Sequence, residues 1–120
     1  MKIENIETAD CTVKEIIKNN KSISIRFDKI YCLTEKKYKS NITLIIENWT
    51  KFLIKLYVTQ KPFTEPEEFI LNINKFESFD LIQEIDYNVS KLILKGFSKE
   101  SGNWMVYEFN EYDYKIMENE

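Results

Sequence analysis

Ser22-Ile23-Ser24-Ile25-Arg26-Phe27 sets an apolar side chain at every second position with polar ones between. A side-chain period of two belongs to an extended strand with one face in a core and the other in water. The pattern recurs on both sides. Upstream, Cys11 to Lys18 meets it across Asn19-Asn20, residues that tolerate the left-handed backbone of a hairpin turn. Downstream, Lys29 to Leu33 either extends the strand or forms a short third one, and the polar run Thr34 to Asn41, with Lys36, Lys37 and Lys39, reads as a loop. Ile42, Leu44 and Ile46 then share a face, a turn falls near Asn48, and Phe52, Ile54, Leu56 and Val58 share a face of the next strand.

Residues 59–68 hold both prolines, Pro62 and Pro66, and form the longest break. It reads as a loop inside one domain, because neither side alone has enough core to fold. Thr64 with Glu67 fits a helix capping box, and Phe69, Ile73 and Phe76 fit helical spacing; Phe69, Leu71 and Ile73 fit a strand equally well. A shift of 27 residues lays Ile42, Leu44, Ile46, Trp49, Phe52 and Ile54 onto Phe69, Leu71, Ile73, Phe76, Phe79 and Leu81, which tips the reading toward a strand over Phe69 to Lys75 in one of two similar units. The remainder is a meander: Leu81 to Tyr87, Lys91 to Phe97, a turn at Ser101-Gly102, Trp104 to Phe109, and a last strand with Tyr112, Tyr114 and Ile116. Met105, Tyr107 and Phe109 take one face, and Trp104, Val106 and Glu108 the other. The expectation is a single domain over residues 1–120, mainly β, built as an antiparallel sandwich or partly open barrel of about nine to ten short strands with at most one short helix.

The composition agrees with a folded chain. Of 120 residues, 43% are hydrophobic and 14% aromatic, with two Gly and two Pro. Histidine is absent, which removes the usual base of Ser and Cys hydrolases and every His-containing zinc pattern. Cys11 and Cys32 lack the spacing and further ligands of a metal site and read as buried free thiols, so no metal or cofactor is expected. Without a signal-peptide segment or a long apolar run, the chain is expected to be cytoplasmic and not to engage a membrane.

The net charge of −3 averages two unlike halves: twelve basic and seven acidic residues over 1–61, five basic and thirteen acidic over 62–120. Arg26 is the only arginine, and lysines lack the planar fork that reads phosphates and bases, so nucleic acid is not an expected partner. An acidic second half favours association with a basic protein. The acids that would suit catalysis, Asp10, Asp28, Glu47, Glu84 and Glu108, are not paired by spacing, and Gly96 and Gly102 read as strand-end or turn residues and not as a phosphate loop. The expectation is a protein without catalytic residues.

The aromatics are a richer signal. Tyr107, Tyr112 and Tyr114 either lay their rings over the core edge with hydroxyls in water or sit in a binding face among Glu108, Glu111 and Asp113. The candidate partner-binding residues are therefore Glu108, Glu111, Tyr112, Asp113 and Tyr114, with Trp104 as a further aromatic anchor.

Asp10-Cys11-Thr12-Val13-Lys14-Glu15-Ile16, followed by Ser22 to Phe27, resembles the opening of a group of small bacterial immunity proteins of polymorphic toxin systems and related uncharacterised domains. Leu92-Ile93-Leu94-Lys95-Gly96-Phe97, a Gly turn and Trp104-Met105-Val106-Tyr107-Glu108-Phe109 are similar to the ending of the same group. Ala9 stands where that group tends to have His, so no role of that histidine carries over. The resemblance implies a cytosolic β-rich domain that binds and neutralises a cognate protein toxin, with no catalysis of its own. Separately, the chain is expected to be a monomer, or a weak homodimer through an edge strand of the sheet. The alternative is a small-ligand barrel with Trp49 and the inward aromatics around a cavity.

Overall fold

A computed structural model of the chain describes residues 1–118. Among the described residues ten strands follow in order: β1 (Ile6–Glu7), β2 (Cys11–Lys18), β3 (Ser22–Cys32), β4 (Lys37–Glu47), β5 (Lys51–Val58), β6 (Glu67–Leu71), β7 (Phe79–Tyr87), β8 (Lys91–Ser98), β9 (Trp104–Asn110) and β10 (Asp113–Glu118). All pairings are antiparallel, in the order β10-β4-β3-β2-β7-β8-β9-β5-β6, with β1 added beside β3. The sheet is open. Among the described residues there is no α-helix, only 3-10 turns at Ile3–Asn5 and Ile73–Lys75, and no helix long and apolar enough to cross a membrane.

The path bends at β2, which pairs with β3 along Val13 to Lys18 but with β7 only through Cys11 and Thr12. The sheet thereby folds over itself. Ile23, Ile25 and Phe27 of β3 and Ile42, Leu44 and Ile46 of β4 join one core with Ile54 of β5, Leu92 and Leu94 of β8, and Met105, Tyr107 and Phe109 of β9. Their alternation in sequence is the alternation of buried and exposed faces in the strands. The inward aromatics pack on one another: Trp49 lies 5.3 Å from both Phe52 and Phe109, and Phe52 stacks on Phe109 at 4.4 Å.

Several boundaries differ from the sequence reading for local reasons. Lys29 to Cys32 extends β3: Phe27 and Ile30 are both buried although three residues apart, so the strand changes parity between them and continues. The loop after it is shorter than expected, because Lys37 to Ser40 already pair with Cys32 to Lys29, and Tyr31 meets Tyr38 edge-on at 5.1 Å. A hairpin tip this polar carries no alternation to announce it. Strand β7 starts at Phe79, with register shifts on both sides of Ile82 that leave Phe79 and Ile82 buried three residues apart. Gly96 is not a strand end; it lies within β8, packed against the irregular part of β7.

Residues 64–76 divide. Glu67–Leu71 is a strand, but Ile73–Lys75 is a 3-10 turn in which the Asn74 N–H donates to the Asn72 side-chain carbonyl at 2.9 Å. The capping box does not form, since the Thr64 hydroxyl donates to the Lys61 carbonyl at 2.7 Å. The 27-residue likeness holds in environment only in part: Ile42, Leu44 and Ile46 are buried, whereas Phe69 on the edge strand β6 and Ile73 in the 3-10 turn are exposed, and the match returns to the core at Leu71, Phe76 and Phe79.

A candidate docking face on the second layer

The outer face of β7, β8, β9, β5 and β6 is built by register. Phe97 on β8 stands opposite Trp104 on β9, which stands opposite Tyr57 on β5, which stands opposite Glu68 on β6. Side chains directly opposite across neighbouring strands lie about 5 Å apart, so this row is continuous. Phe97 and Trp104 meet edge-to-face with centroids 5.1 Å apart. The next row runs Lys95, Val106, Lys55, Ile70, and the one after it Ile93, Glu108, Leu53. Val106 points outward yet is buried, flanked across both strands by the aliphatic stems of Lys55 and Lys95.

Charges on this face are interlocked. Lys95 Nζ lies 2.9 Å from Asp86 and 3.2 Å from Glu84. Lys55 lies 3.4 Å from Glu108 and 3.8 Å from Glu68, and Lys91 lies 3.1 Å from Glu108. The hydrogen bond from Lys91, aided by the charge of Lys55, holds the Glu108 carboxyl below its ordinary pKa against the cost of desolvation. Asp86 and then Glu84 raise the Lys95 ammonium. The Tyr57 hydroxyl donates to Glu68 at 2.9 Å, and burial together with that bond pushes its pKa up. At the Trp104 end the face sinks into an open concavity of about 690 Å³, with Tyr57, Trp104, Val106, Glu84, Lys95 and Asn103 in its lining.

Of the six residues expected from sequence, this face takes Trp104 and Glu108. Glu108 is engaged by two lysines and is not a free acidic contact. The other four lie beyond the far end of β9, where Asn110 is about 20 Å along the strand from Trp104. Glu111 occupies the turn into β10 with φ of 50° and donates its backbone N–H to the Ser90 carbonyl at 2.8 Å. Asp113 is exposed and accepts a hydrogen bond from Asn48 Nδ2 at 3.1 Å. Tyr112 and Tyr114 lie tilted with ring centroids 6.3 Å apart against the core edge, each with its hydroxyl hydrogen-bonded to main chain. Tyr112 donates to the Asn88 carbonyl at 2.9 Å, and Tyr114 accepts from the Ile3 N–H at 3.2 Å. The six therefore form two patches and not one.

Sequence does not mark Tyr57, Phe97 or Lys95 as binding residues, and Glu84 stands there only among the acids weighed for catalysis. The available signal was an aromatic residue at a polar parity: Tyr57 interrupts the Phe52, Ile54, Leu56, Val58 face, and Phe97 stands out of step with Leu92 and Leu94. Elsewhere, Cys11 and Cys32 are buried free thiols; β2 and β3 are neighbours, but Cys32 is opposite Ile6 and Lys37. Burial raises the Cys11 pKa. Among the described residues no three Cys, Asp or Glu side chains are grouped to hold a metal ion. Compared with protein-family models, curated proteins and solved structures, the chain finds no match in any of the three.

Proposed function

We propose that this domain is a non-catalytic protein-binding module, an immunity-type inhibitor that occludes a cognate bacterial toxin in the cytoplasm. The observation that carries the binding role is the Phe97, Trp104, Tyr57 row, exposed at Phe97 and half-buried at Trp104 and Tyr57, beside an open concavity on a five-stranded layer. Binding energy in protein interfaces concentrates on aromatic anchors with a polar surround that excludes water. Trp104 is such an anchor, and the Lys55, Glu108, Lys91 and Lys95 pairs supply the surround. Because β9 is paired on both sides, the row is held before the partner arrives, and little side-chain order remains to be lost on binding. The toxin assignment comes from the likeness of both chain ends to immunity proteins. In this reading Glu111 and Asp113 form a separate acidic rim that steers a basic partner.

The test is capture and protection. The tagged domain is used to purify its toxin from the native host at low and high salt, and the captured toxin is then expressed in cells with or without the domain. Wild-type protein is expected to bind and to restore growth. Trp104→Asp is expected to lose at least tenfold in affinity, as hot-spot truncations do, while keeping its circular dichroism spectrum. Reversal of Glu111 and Asp113 to Lys is expected to slow association at low salt only. Equal protection by wild type and Trp104→Asp would overturn the docking face, and indifference to the charge reversal would remove the acidic rim.

A further inference from the structure

We propose that the concavity beside Trp104 receives an arginine side chain of the partner; this rests on the docking role above and names the chemistry it recognises. Three features converge there. The lining puts two aromatic side chains, Trp104 and Tyr57, at directly opposed positions on neighbouring strands. A guanidinium is attracted to such π faces and, being planar and weakly hydrated, lies flat on them where an ammonium does not.

The second feature is the charge balance. Each lysine flanking the concavity is shared by two carboxylates: Lys95 by Glu84 and Asp86, Lys55 by Glu68 and Glu108. Lys91 adds a third ammonium, on Glu108. Across the group, four carboxylates, Glu68, Glu84, Asp86 and Glu108, share three ammonium groups, Lys55, Lys91 and Lys95. Glu84 is the one that lines the concavity, with its side chain half exposed at 56%. A cation entering beside it gives Glu84 a partner in addition to the Lys95 it shares with Asp86.

The third feature is shape. A volume of about 690 Å³ open to solvent, with Trp104 and Tyr57 in its lining, admits a long side chain reaching in from a neighbouring surface. Asn103, half-buried in the same lining and with no side-chain hydrogen bond among the described residues, offers a carbonyl oxygen to a guanidinium N–H. The occupant is thus an arginine projected from a folded protein, in keeping with the basic partner expected from the charge of this chain.

The experiment follows the Trp104 indole N–H by NMR in the full chain while N-acetylarginine amide is added, with the uncharged isostere N-acetylcitrulline amide and N-acetyllysine amide as comparators. Trp104→Phe assigns the indole signal. Arginine is expected to shift it saturably and to bind about threefold more tightly than citrulline, the size of an exposed cation–π contact, with lysine between. Glu84→Gln is expected to weaken arginine about twofold and to leave citrulline unchanged, while the Trp49 indole stays still throughout. Equal shifts with arginine and citrulline, or shifts that never saturate, overturn the arginine site. If that happens while Trp104→Asp still abolishes toxin capture, the docking face stands without it. If arginine binds selectively while capture ignores Trp104, the cation site stands and the docking role falls.

Discussion

Gly96 lies opposite Ile82 across β8 and β7, and a Cβ on it would run into the Leu81 carbonyl oxygen, with the Ile82 Cα close behind. These are main-chain atoms that cannot swing aside, and β7 changes register just there. Gly96→Ala is expected to cost about 1–3 kcal/mol, read as a lower urea midpoint at unchanged slope. Gly102 has open space around it and needs its glycine only for a φ of 73°, so Gly102→Ala is expected to cost about 1 kcal/mol. The opposite ranking would mean that the strands do not approach as described.

Glu108 makes stability depend on acid. Its pKa is lowered on folding, so its contribution is complete above the unfolded carboxyl value of about 4.3 and is lost as the pH falls through the folded value. Glu108→Gln is expected to lower stability at pH 7 by about 1 kcal/mol and to flatten the loss between about pH 5 and pH 3. Denaturant melts at four pH values check it; parallel curves for variant and wild type would refute the pairing with Lys91 and Lys55.

The Tyr107 hydroxyl, in the core, donates to the Glu77 carbonyl, while the Glu77 carboxylate takes hydrogen bonds from Ser98 at 2.5 Å and Ser101 at 2.8 Å. Tyr107→Phe strands a carbonyl with little change of shape and is expected to cost about 1–2 kcal/mol. Amide exchange should quicken first around residues 77–79 and 98–101, where this network ties the entry of β7 to the turn before β9.

Cys11 and Cys32 are both buried, and desolvation keeps the Cys11 thiol protonated. Both are expected to react with an aromatic disulfide reagent only at the rate of unfolding, and Cys11 to remain unmodified at pH 8 in native buffer. Stoichiometric labelling within seconds would show that β2 opens where it leaves β7.

Alternation made the central strands readable. Ile23, Ile25 and Phe27, or Met105, Tyr107 and Phe109, need nothing beyond period two to find the core. Parity fails where a strand bends: nothing local distinguishes the step from Phe27 to Ile30 within one strand from a new strand, and the three-residue step from Phe79 to Ile82 resembles a helix. The docking face was half visible. Trp104 and Glu108 are legible as outward residues of one strand, but the concavity takes residues from β5, β7, β8 and β9, and their order across the sheet is a long-range property. Nor does composition reveal that Glu108 is bound by two lysines distant in sequence, or that Tyr112 and Tyr114 spend their hydroxyls on the main chain.

The last strand has a temporal consequence. Strand β10 pairs along β4 from Asp113 with Glu47 to Glu118 with Ile42, and Tyr114 also reaches the Ile3 N–H. During synthesis on the ribosome, the outer edge of β4 stays bare until the segment after residue 112 has left the exit tunnel. Such distant pairings put the chain among slow, high-contact-order folders, with times on the order of milliseconds to seconds, and until then Ile42 to Glu47 is an uncovered strand open to stray pairing. A nascent chain stalled before β10 is therefore the form of this protein most in need of a chaperone.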